Sequence, residues 1–245
     1  MRSALVTGGM GGIGHAICKR LLDCGYSVIV GYNRSHEAAK EWLSQFFEYD
    51  DRIFVVFVNV SDYKSCQDCV DTIKEKGRTV DILVNNAGIT RDTTFCKMTH
   101  EIWSDVIKTN LDSVFNMTKQ VVNGMIERQW GRIVNISSIT GQKGAFGQVN
   151  YAAAKAGVHG FTKSLALEVA KKGITVNTVS PGYIATPMVK KIPEDIMESK
   201  IIPNIPVGRL GDPIEVAALV AYLVSDDAKF VTGANIAING GQHMF

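Results

Sequence analysis

The chain has 245 residues with 26 basic and 24 acidic side chains, a formal net charge of +2, and the charges are interspersed along its length. This length is compatible with a single α/β domain over residues 1–245. The mixed charges exclude the basic face or tail typical of a nucleic-acid-binding protein, so we expect a small-molecule ligand and no nucleic-acid partner.

Export, membrane and metal functions are also disfavoured. The N-terminus enters a strand pattern within a few residues, and no apolar run approaches the ~20 residues of a membrane span. The five cysteines, including the Cys66 and Cys69 pair, show no disulfide or metal-binding pattern, and the five histidines are scattered without ligand or triad spacing. We therefore expect a cytoplasmic protein with reduced thiols, no metal, no membrane partner and no histidine in its site.

The first strand pattern, residues 3–7, runs directly into a glycine-rich turn and then a helical pattern. Glycines at such a junction let the backbone turn sharply and approach a pyrophosphate, whose charge is met by free N–H groups at the helix N-terminus. We predict a dinucleotide site that includes Gly8, Gly11, Gly12, Ile13 and Gly14.

The second strand, residues 26–32, ends where an NAD-binding fold places an acidic residue for the ribose 2′-hydroxyl. This chain has Asn33-Arg34-Ser35 there instead. Arg34 is suited to pair with a 2′-phosphate, with Asn33 and Ser35 donating hydrogen bonds, so NADP is favoured over NAD. The alternative interpretation is a solvated arginine in a loop.

Two further strands end in polar segments. Residues 53–60 form the third strand pattern, which ends in Asn59-Val60-Ser61-Asp62, where a polar pair is placed to hold an adenine edge. Residues 82–84 form the fourth and lead into Asn85-Asn86-Ala87-Gly88, a composition that suits bracing of the sheet and close backbone approach to a ligand.

A helix is predicted over residues 101–128, and Asn110 interrupts its apolar stripe. A buried amide among apolar residues must be hydrogen-bonded, and a helix that accommodates such a group is locally distorted. From the residues alone, a satisfied core amide and a functional amide are equally compatible with this pattern.

The segment from 132 to 157 carries the candidate chemistry. Residues 132–136 form a buried strand pattern, Ser138 follows its C-terminal end, and a helix beginning near Tyr151 places Lys155 one turn further on the same face. A free phenol has a pKa of about 10, and a nearby positive charge lowers it. We predict that Tyr151 donates a proton to a carbonyl oxygen that Ser138 orients.

The last third continues the alternation of strands and helices. Residues 175–180 form a sixth strand pattern, residues 187–206 a short helical excursion suited to a lid, residues 213–224 a helix and residues 235–238 a final strand. The fold class predicted is α/β: a single-domain doubly wound parallel sheet, or Rossmann fold, with helices on both faces.

With these motifs in place, the chain resembles the short-chain dehydrogenase/reductase family over essentially its whole length. The resemblance implies that Asn110, Ser138, Tyr151 and Lys155 are the four catalytic positions. It also implies that Lys155 binds the nicotinamide ribose and lowers the Tyr151 pKa, and that Asn110 holds a water that relays protons. Further cofactor contacts are implied for Asn86, Ala87, Gly88, Pro181, Gly182, Ile184 and Thr186.

Within the family the chain is most similar to NADPH-dependent acetoacetyl-CoA reductases of polyhydroxyalkanoate synthesis, which produce (R)-3-hydroxybutyryl-CoA. That likeness rests on Ile89-Thr90-Arg91-Asp92, Gly141-Gln142-Lys143-Gly144 and Val179-Ser180-Pro181-Gly182-Tyr183 among other segments. It implies a homotetramer and an acyl-CoA substrate bound near Ser138 and Tyr151 by Asp92, Phe146, Gln148 and Tyr183.

Two other functions remain open at this stage. The similar 3-oxoacyl-carrier-protein reductases often present an arginine to the acidic carrier where this chain has Gln129, although Lys172 keeps a second positive charge. A non-catalytic NADP-binding sensor or scaffold is the other alternative. Intact Ser138, Tyr151 and Lys155 disfavour it, because a binding protein needs no activated phenol.

Overall fold

The computed structural model describes residues 1–33, 35–187, 189 and 192–244, which fold around a seven-stranded parallel sheet. The strands are β1 (Ser3–Thr7), β2 (Ser27–Tyr32), β3 (Ile53–Phe57), β4 (Ile82–Asn85), β5 (Gly131–Ile136), β6 (Ile174–Pro181) and β7 (Asn235–Ile238). Their order is β3-β2-β1-β4-β5-β6-β7, and every neighbouring pair is parallel. Strand order reverses between β1 and β4, and in such sheets ligands bind beyond the carboxyl ends of the strands at that point.

Helices cover both faces of the sheet. They are α1 (Gly12–Asp23), α2 (His36–Ser44), α3 (Tyr63–Glu75), α4 (His100–Ile107), α5 (Ser113–Arg128), α6 (Thr140–Lys143), α7 (Val149–Val169), α8 (Glu194–Ile196) and α9 (Pro213–Val224). Ala4 and Val6 of β1 pack in one apolar cluster with α1, α2 and α9, whereas Leu5 packs in a second with α3, α5 and α7. Because successive strand residues face opposite sides, these clusters are the two faces, and the predicted fold class is confirmed.

The two cysteines of α3 belong to the second cluster. Cys66 and Cys69 are free and buried, and burial raises the pKa of both thiols to about 12. They are therefore packed as ordinary helix residues.

The predicted helix over 101–128 is divided. Helix α4 ends at Ile107, a π-helical turn spans Lys108–Asp112, and α5 begins at Ser113. The distortion lies at Asn110, as expected from a buried amide that needs partners.

Two other elements are shorter than predicted. The sequence pattern over residues 37–49, with Trp42 and Phe46 on its inner face, predicts one helix, but α2 ends at Ser44 and a 3-10 turn at Phe47–Arg52 follows. Phe46 packs on Trp42, and Tyr49 packs on Phe46. Strand β3 ends at Phe57 rather than at residue 60, where the backbone N–H of Asn59 donates to Ser65 Oγ.

The predicted lid segment, residues 187–206, is only partly described. It contains α8, a π-helical turn at Met197–Ile201 and a 3-10 turn at Ile202–Asn204, and its closing over a ligand stays a prediction. Among the described helices, none combines the length and apolar character needed to cross a bilayer.

Candidate active site

The glycine turn after β1 forms a cradle at the start of α1. Gly8 has a positive φ of 60°, and the N–H of Gly11 donates to its carbonyl oxygen at 3.0 Å. Helix α1 begins at Gly12, and no side chain caps its N-terminus, so backbone N–H groups there stay available to an anion. A Cβ on Gly14 would clash with the carbonyl oxygen of Gly8 and lie 2.8 Å from Asn86 Nδ2, which makes glycine necessary.

The end of β4 is fastened to this cradle. Thr7 Oγ1 accepts hydrogen bonds from the backbone N–H groups of Asn86 and Ala87, at 3.0 and 3.1 Å. In return, Asn86 Nδ2 donates to the carbonyl oxygens of Thr7 and Gly8. Asn85 donates to Asn135 Oδ1 of β5 at 2.8 Å. These contacts agree with the predicted bracing role of the polar segment after β4.

Asn110 holds the chain beyond Gly88. It is 1% exposed, its Oδ1 accepts from the N–H of Ile89 at 2.8 Å, and its Nδ2 donates to the carbonyl oxygen of Ile89 at 2.8 Å. A Cβ on Gly88 would lie 2.8 Å from Asn110 Oδ1 and 3.6 Å from Lys155 Nζ, so only glycine fits between them. The amide is thus a satisfied group beside Lys155, and its holding of a water relay stays a prediction.

The structure brings Ser138, Tyr151 and Lys155 together. Helix α7 begins two residues before Tyr151, and the Ser138 side chain acts on the Tyr151 hydroxyl, whose pKa it lowers. Lys155 is 4% exposed, and its Nζ donates to the carbonyl oxygen of Ile136 at 2.8 Å, 5.7 Å from the centre of the Tyr151 ring. A phenol, a hydroxyl and an ammonium therefore converge at the carboxyl end of β5.

The electrostatics differ from the sequence-based expectation. Burial raises the pKa of Tyr151 to about 12; the Ser138 hydrogen bond opposes this shift and the Asp92 charge adds to it. Lys155 is not among these influences, so its lowering of the Tyr151 pKa stays a prediction. Its ammonium is directed to the carbonyl of Ile136, and burial lowers the pKa of Lys155 to about 8.

The segment after β6 borders the same edge of the sheet. Pro181 ends β6 and accepts from the N–H of Ile139 at 2.8 Å, and the buried Ile184 forms a bridge with Gly211. A Cβ on Gly12 would lie 2.9 Å from Thr186 Cγ2, so this segment approaches the glycine cradle directly. The free N–H groups, the narrow glycine surfaces and this flanking segment fit a bound dinucleotide.

The residues predicted to contact the adenosine half of the cofactor differ in how the structure places them. Asn33 is exposed at the end of β2, whereas Arg34 lies outside the described residues. Ser35 caps α2, its Oγ accepting from the N–H of Ala38 at 3.2 Å, which leaves its hydroxyl hydrogen available. Asn59 Oδ1 accepts from Ser61 Oγ at 2.8 Å, and Val60 is buried. The part of these residues in cofactor binding stays a prediction.

The four predicted substrate residues do not form one surface. Gln148 Nε2 donates to Asp92 Oδ2 at 2.8 Å, and Gln148 Oε1 accepts from Thr140 Oγ1 at 3.3 Å. Phe146 is 94% exposed on the preceding loop, and Tyr183 lines a separate cavity beside Ile205, Val207 and Arg209. Only the pair of Asp92 and Gln148 is held together, and Asp92 also acts on the Tyr151 hydroxyl.

Sequence reasoning missed two residues that position this site. Thr7 joins β1 to the segment after β4 through its hydroxyl. Asn150 accepts from the N–H of Tyr151 at 2.8 Å and donates to the carbonyl oxygen of Arg91 at 3.2 Å, which anchors the start of α7. Thr7 directly precedes Gly8, and Asn150 directly precedes Tyr151, so adjacency to a predicted site residue is the sequence signal that could have identified them.

Comparison with known proteins defines the class of this chain. The family model described as short chain dehydrogenase matches residues 2–197. The chain therefore belongs to the short-chain dehydrogenase family and is an oxidoreductase that uses a nicotinamide cofactor.

Several curated relatives match over nearly their full length. The chain is similar to an acetoacetyl-CoA reductase of Cupriavidus necator, 54% identical over 99% of this chain and 98% of the relative. It is similar to an acetoacetyl-CoA reductase of Rhizobium meliloti, 56% identical over 99% and 98% of the two chains. A 3-oxoacyl-acyl-carrier-protein reductase of Vibrio harveyi is 44% identical over 98% and 97%.

Proposed function

We propose that the protein reduces the 3-oxo group of acetoacetyl-CoA to (R)-3-hydroxybutyryl-CoA with NADPH. The observation that carries this proposal is the identity of 50% or more that the chain shares, from end to end, with several acetoacetyl-CoA reductases. Ser138 and Tyr151, whose side chains interact, supply the two donors that carbonyl reduction requires.

The chain's own residues handle the proton and the developing negative charge. The cofactor, when bound, supplies the hydride that reaches the carbonyl carbon. Ser138 donates a hydrogen bond to the 3-oxo oxygen, and Tyr151 transfers its phenolic proton to that oxygen, which completes the alcohol. The tyrosinate that forms lies near the Lys155 ammonium, whose positive charge stabilises it.

Burial of Tyr151 keeps its phenolic proton available for the reduction. A pKa of about 12 keeps Tyr151 protonated throughout the neutral range, so the proton is present when charge builds on the substrate oxygen. Asn110 contributes by fixing Ile89 and the adjoining Gly88 beside Lys155.

The preference for NADPH rests on the end of β2. The residues that follow it are Asn33, Arg34 and Ser35, with no carboxylate to bind a ribose 2′-hydroxyl. Arg34 provides the charge for a 2′-phosphate, and the hydroxyl hydrogen of Ser35 is available to donate because its oxygen, not its hydrogen, caps α2.

The choice of a CoA thioester over a carrier-protein thioester rests on charge. Gln129 is exposed at the end of α5, and its Nε2 donates to the carbonyl oxygen of Ile126, so it offers no positive charge to an acidic partner. Lys172, just before β6, keeps a positive charge, and Lys171 adjoins it. Electrostatic steering governs association rates with charged proteins, so the loss of one cation disfavours the carrier protein.

Reduction by a carrier-protein reductase is the second candidate, favoured by the relative of that name at 44% identity. Oxidation of NADPH followed with both thioesters separates the two. We expect kcat/KM for acetoacetyl-CoA to exceed that for the acetoacetyl carrier protein. A tenfold advantage for the carrier protein would replace this function with the second candidate.

We also propose a homotetramer built through α5 and α7. Phe115 of α5 is half exposed and stacks on Tyr63, and α7 leaves Ala153, Ala156 and Gly160 exposed, which permits close helix approach. Light scattering at micromolar concentration tests this assembly, and a monomer would contradict it.

A further inference from the structure

His159 lies on α7 two turns beyond Tyr151 and one turn beyond Lys155. Residues spaced by four share one face of a helix, so its imidazole continues the stripe that carries the candidate acid and the ammonium. It is partly buried between α7 and the ends of β5 and β6. The reduction described above gives this side chain no part.

The hydrogen bonds around His159 determine its tautomer. The Ser137 hydroxyl donates its single hydrogen to the carbonyl oxygen of Lys155 at 2.8 Å, and the Ser180 hydroxyl donates its own to Asn235 Oδ1 at 2.7 Å. His159 Nε2 lies 2.9 Å from Ser137 Oγ and 3.4 Å from Ser180 Oγ. Since both hydroxyl hydrogens are committed, Nε2 carries a proton and donates to the two oxygens.

This arrangement joins the three elements that carry the site. Ser137 immediately precedes Ser138 at the end of β5, and Ser180 immediately precedes Pro181 at the end of β6. The imidazole on α7 thus holds both strand ends at a fixed distance from the helix that bears Tyr151. A displacement of about 1 Å at reacting groups costs on the order of 100-fold in rate, so this attachment bears directly on turnover.

We infer that His159 is a positioning residue for the reduction, one that sets the distance between Ser138 and Tyr151 by donating through Nε2 to Ser137 and Ser180. It touches neither substrate nor cofactor. Its effect falls on kcat, because Ser138 and Tyr151 act on the developing charge in the transition state.

The surroundings of His159 keep the imidazole neutral. Burial lowers its pKa below 6.5, and the charges of Lys163 and Lys155 lower it further. Both ammonium groups lie on α7, whereas β5 and β6 present the uncharged hydroxyls of Ser137 and Ser180. The contribution of this group to folding is therefore complete above pH 6.5 and is lost as the pH falls through its lowered pKa.

Two substitutions separate the hydrogen bond from the bulk of the side chain. His159→Leu keeps a similar volume and removes the donor, and we expect kcat to fall roughly 10- to 100-fold with little change in KM for NADPH. His159→Gln keeps an N–H donor at a similar reach without a titrating ring. We expect it to restore most of kcat. A folded His159→Leu with kcat near wild type, or a His159→Gln as impaired as the leucine variant, would overturn the inference.

Ser137→Ala and Lys163→Met complete the test. Ser137→Ala removes the principal acceptor with little loss of volume, so it carries the test even if His159→Leu does not fold. We expect it to lower kcat as His159→Leu does, and the double variant to add less than the sum of the two, because both single variants remove the hydrogen bond between His159 Nε2 and Ser137 Oγ. Lys163→Met removes an exposed charge from the same helix and should leave kcat unchanged. Fully additive effects would count against coupling through Ser137.

The inference rests on the proposed reduction of acetoacetyl-CoA, and the measurements distinguish a wrong function from a wrong role for His159. Wild-type protein that oxidises no NADPH with this substrate disproves the function. Active wild-type protein with fully active His159→Leu and Ser137→Ala variants leaves the function standing and overturns the role of His159 alone.

Discussion

Replacing Asn110 with leucine tests how the π-helical turn supports the site. The substitution keeps a similar volume and removes two hydrogen bonds of 2.8 Å, one accepted from the N–H of Ile89 and one donated to its carbonyl oxygen. A backbone group left without a partner costs about 1–3 kcal/mol when buried, so we expect the free energy of unfolding to fall by about 2–6 kcal/mol. In a chain of this size each kcal/mol lowers Tm by roughly 2–4 °C.

The same substitution should impair catalysis beyond its effect on folding, because Asn110 and Lys155 flank Gly88. Asn177→Leu is the matched control. Asn177 is also buried and also pairs both amide atoms with the backbone, at Val231 and Ala234. It lies in the middle of β6, away from the carboxyl end of the strand that borders the candidate site.

Thermal unfolding and steady-state kinetics at a temperature where both variants are folded provide the assay. We expect comparable losses of Tm in the two variants and a loss of kcat of tenfold or more only in Asn110→Leu. Equal kcat values in the two variants, or an unchanged Tm in Asn110→Leu, would refute the reasoning.

Three further predictions concern charge and substrate. Because burial lowers the pKa of Lys155 to about 8, its positive charge is lost as pH rises through that value, and kcat/KM for reduction should decline there; a flat profile across about pH 7–9 would contradict this. Arg34→Ala should weaken NADPH binding by about 1.5–3 kcal/mol while the weak use of NADH persists, and equal losses with both cofactors would exclude a 2′-phosphate contact. Gln148→Ala frees Asp92 and should raise KM for acetoacetyl-CoA more than it lowers kcat, whereas a pure kcat effect would place Gln148 outside the substrate site.

Much of the fold is predictable because the local signals agree with the tertiary packing. The glycine turn after β1, α9 with its proline in the first turn, and β7 lie where the pattern places them. The parallel strands read as short apolar runs because both of their faces are covered.

The differences arise where tertiary contacts override a local pattern. The continuous pattern at residues 37–49 places Phe46 on the inner face but gives no sign that the helix ends at Ser44, since that depends on the cluster that Phe46 and Tyr49 join. Asn110 did signal a distortion, although the pattern could not specify a π turn, which depends on the partner at Ile89.

Spacing singles out Ser138, Tyr151 and Lys155, which the structure brings together, but it does not reveal their electrostatics. Spacing alone places Tyr151 and Lys155 on one face of α7, but the direction of the Lys155 side chain depends on the carbonyl of Ile136. Burial, which spacing cannot reveal, raises the Tyr151 pKa, and the Ser138 side chain opposes that shift. His159 was set aside because histidines without ligand spacing look unremarkable in sequence, and its contacts with Ser137 and Ser180 come from separate strands.

The central claim is that Tyr151 is the acid of a reductase, and the turnover of Tyr151→Phe with NADPH and acetoacetyl-CoA tests it most directly. The phenylalanine ring preserves the packing of α7 and removes only the hydroxyl on which Ser138 acts. We expect kcat to fall by roughly 100- to 10,000-fold while the Kd for NADPH, measured by fluorescence, stays near the wild-type value. A Tyr151→Phe enzyme that keeps a tenth of the wild-type kcat would contradict the assignment.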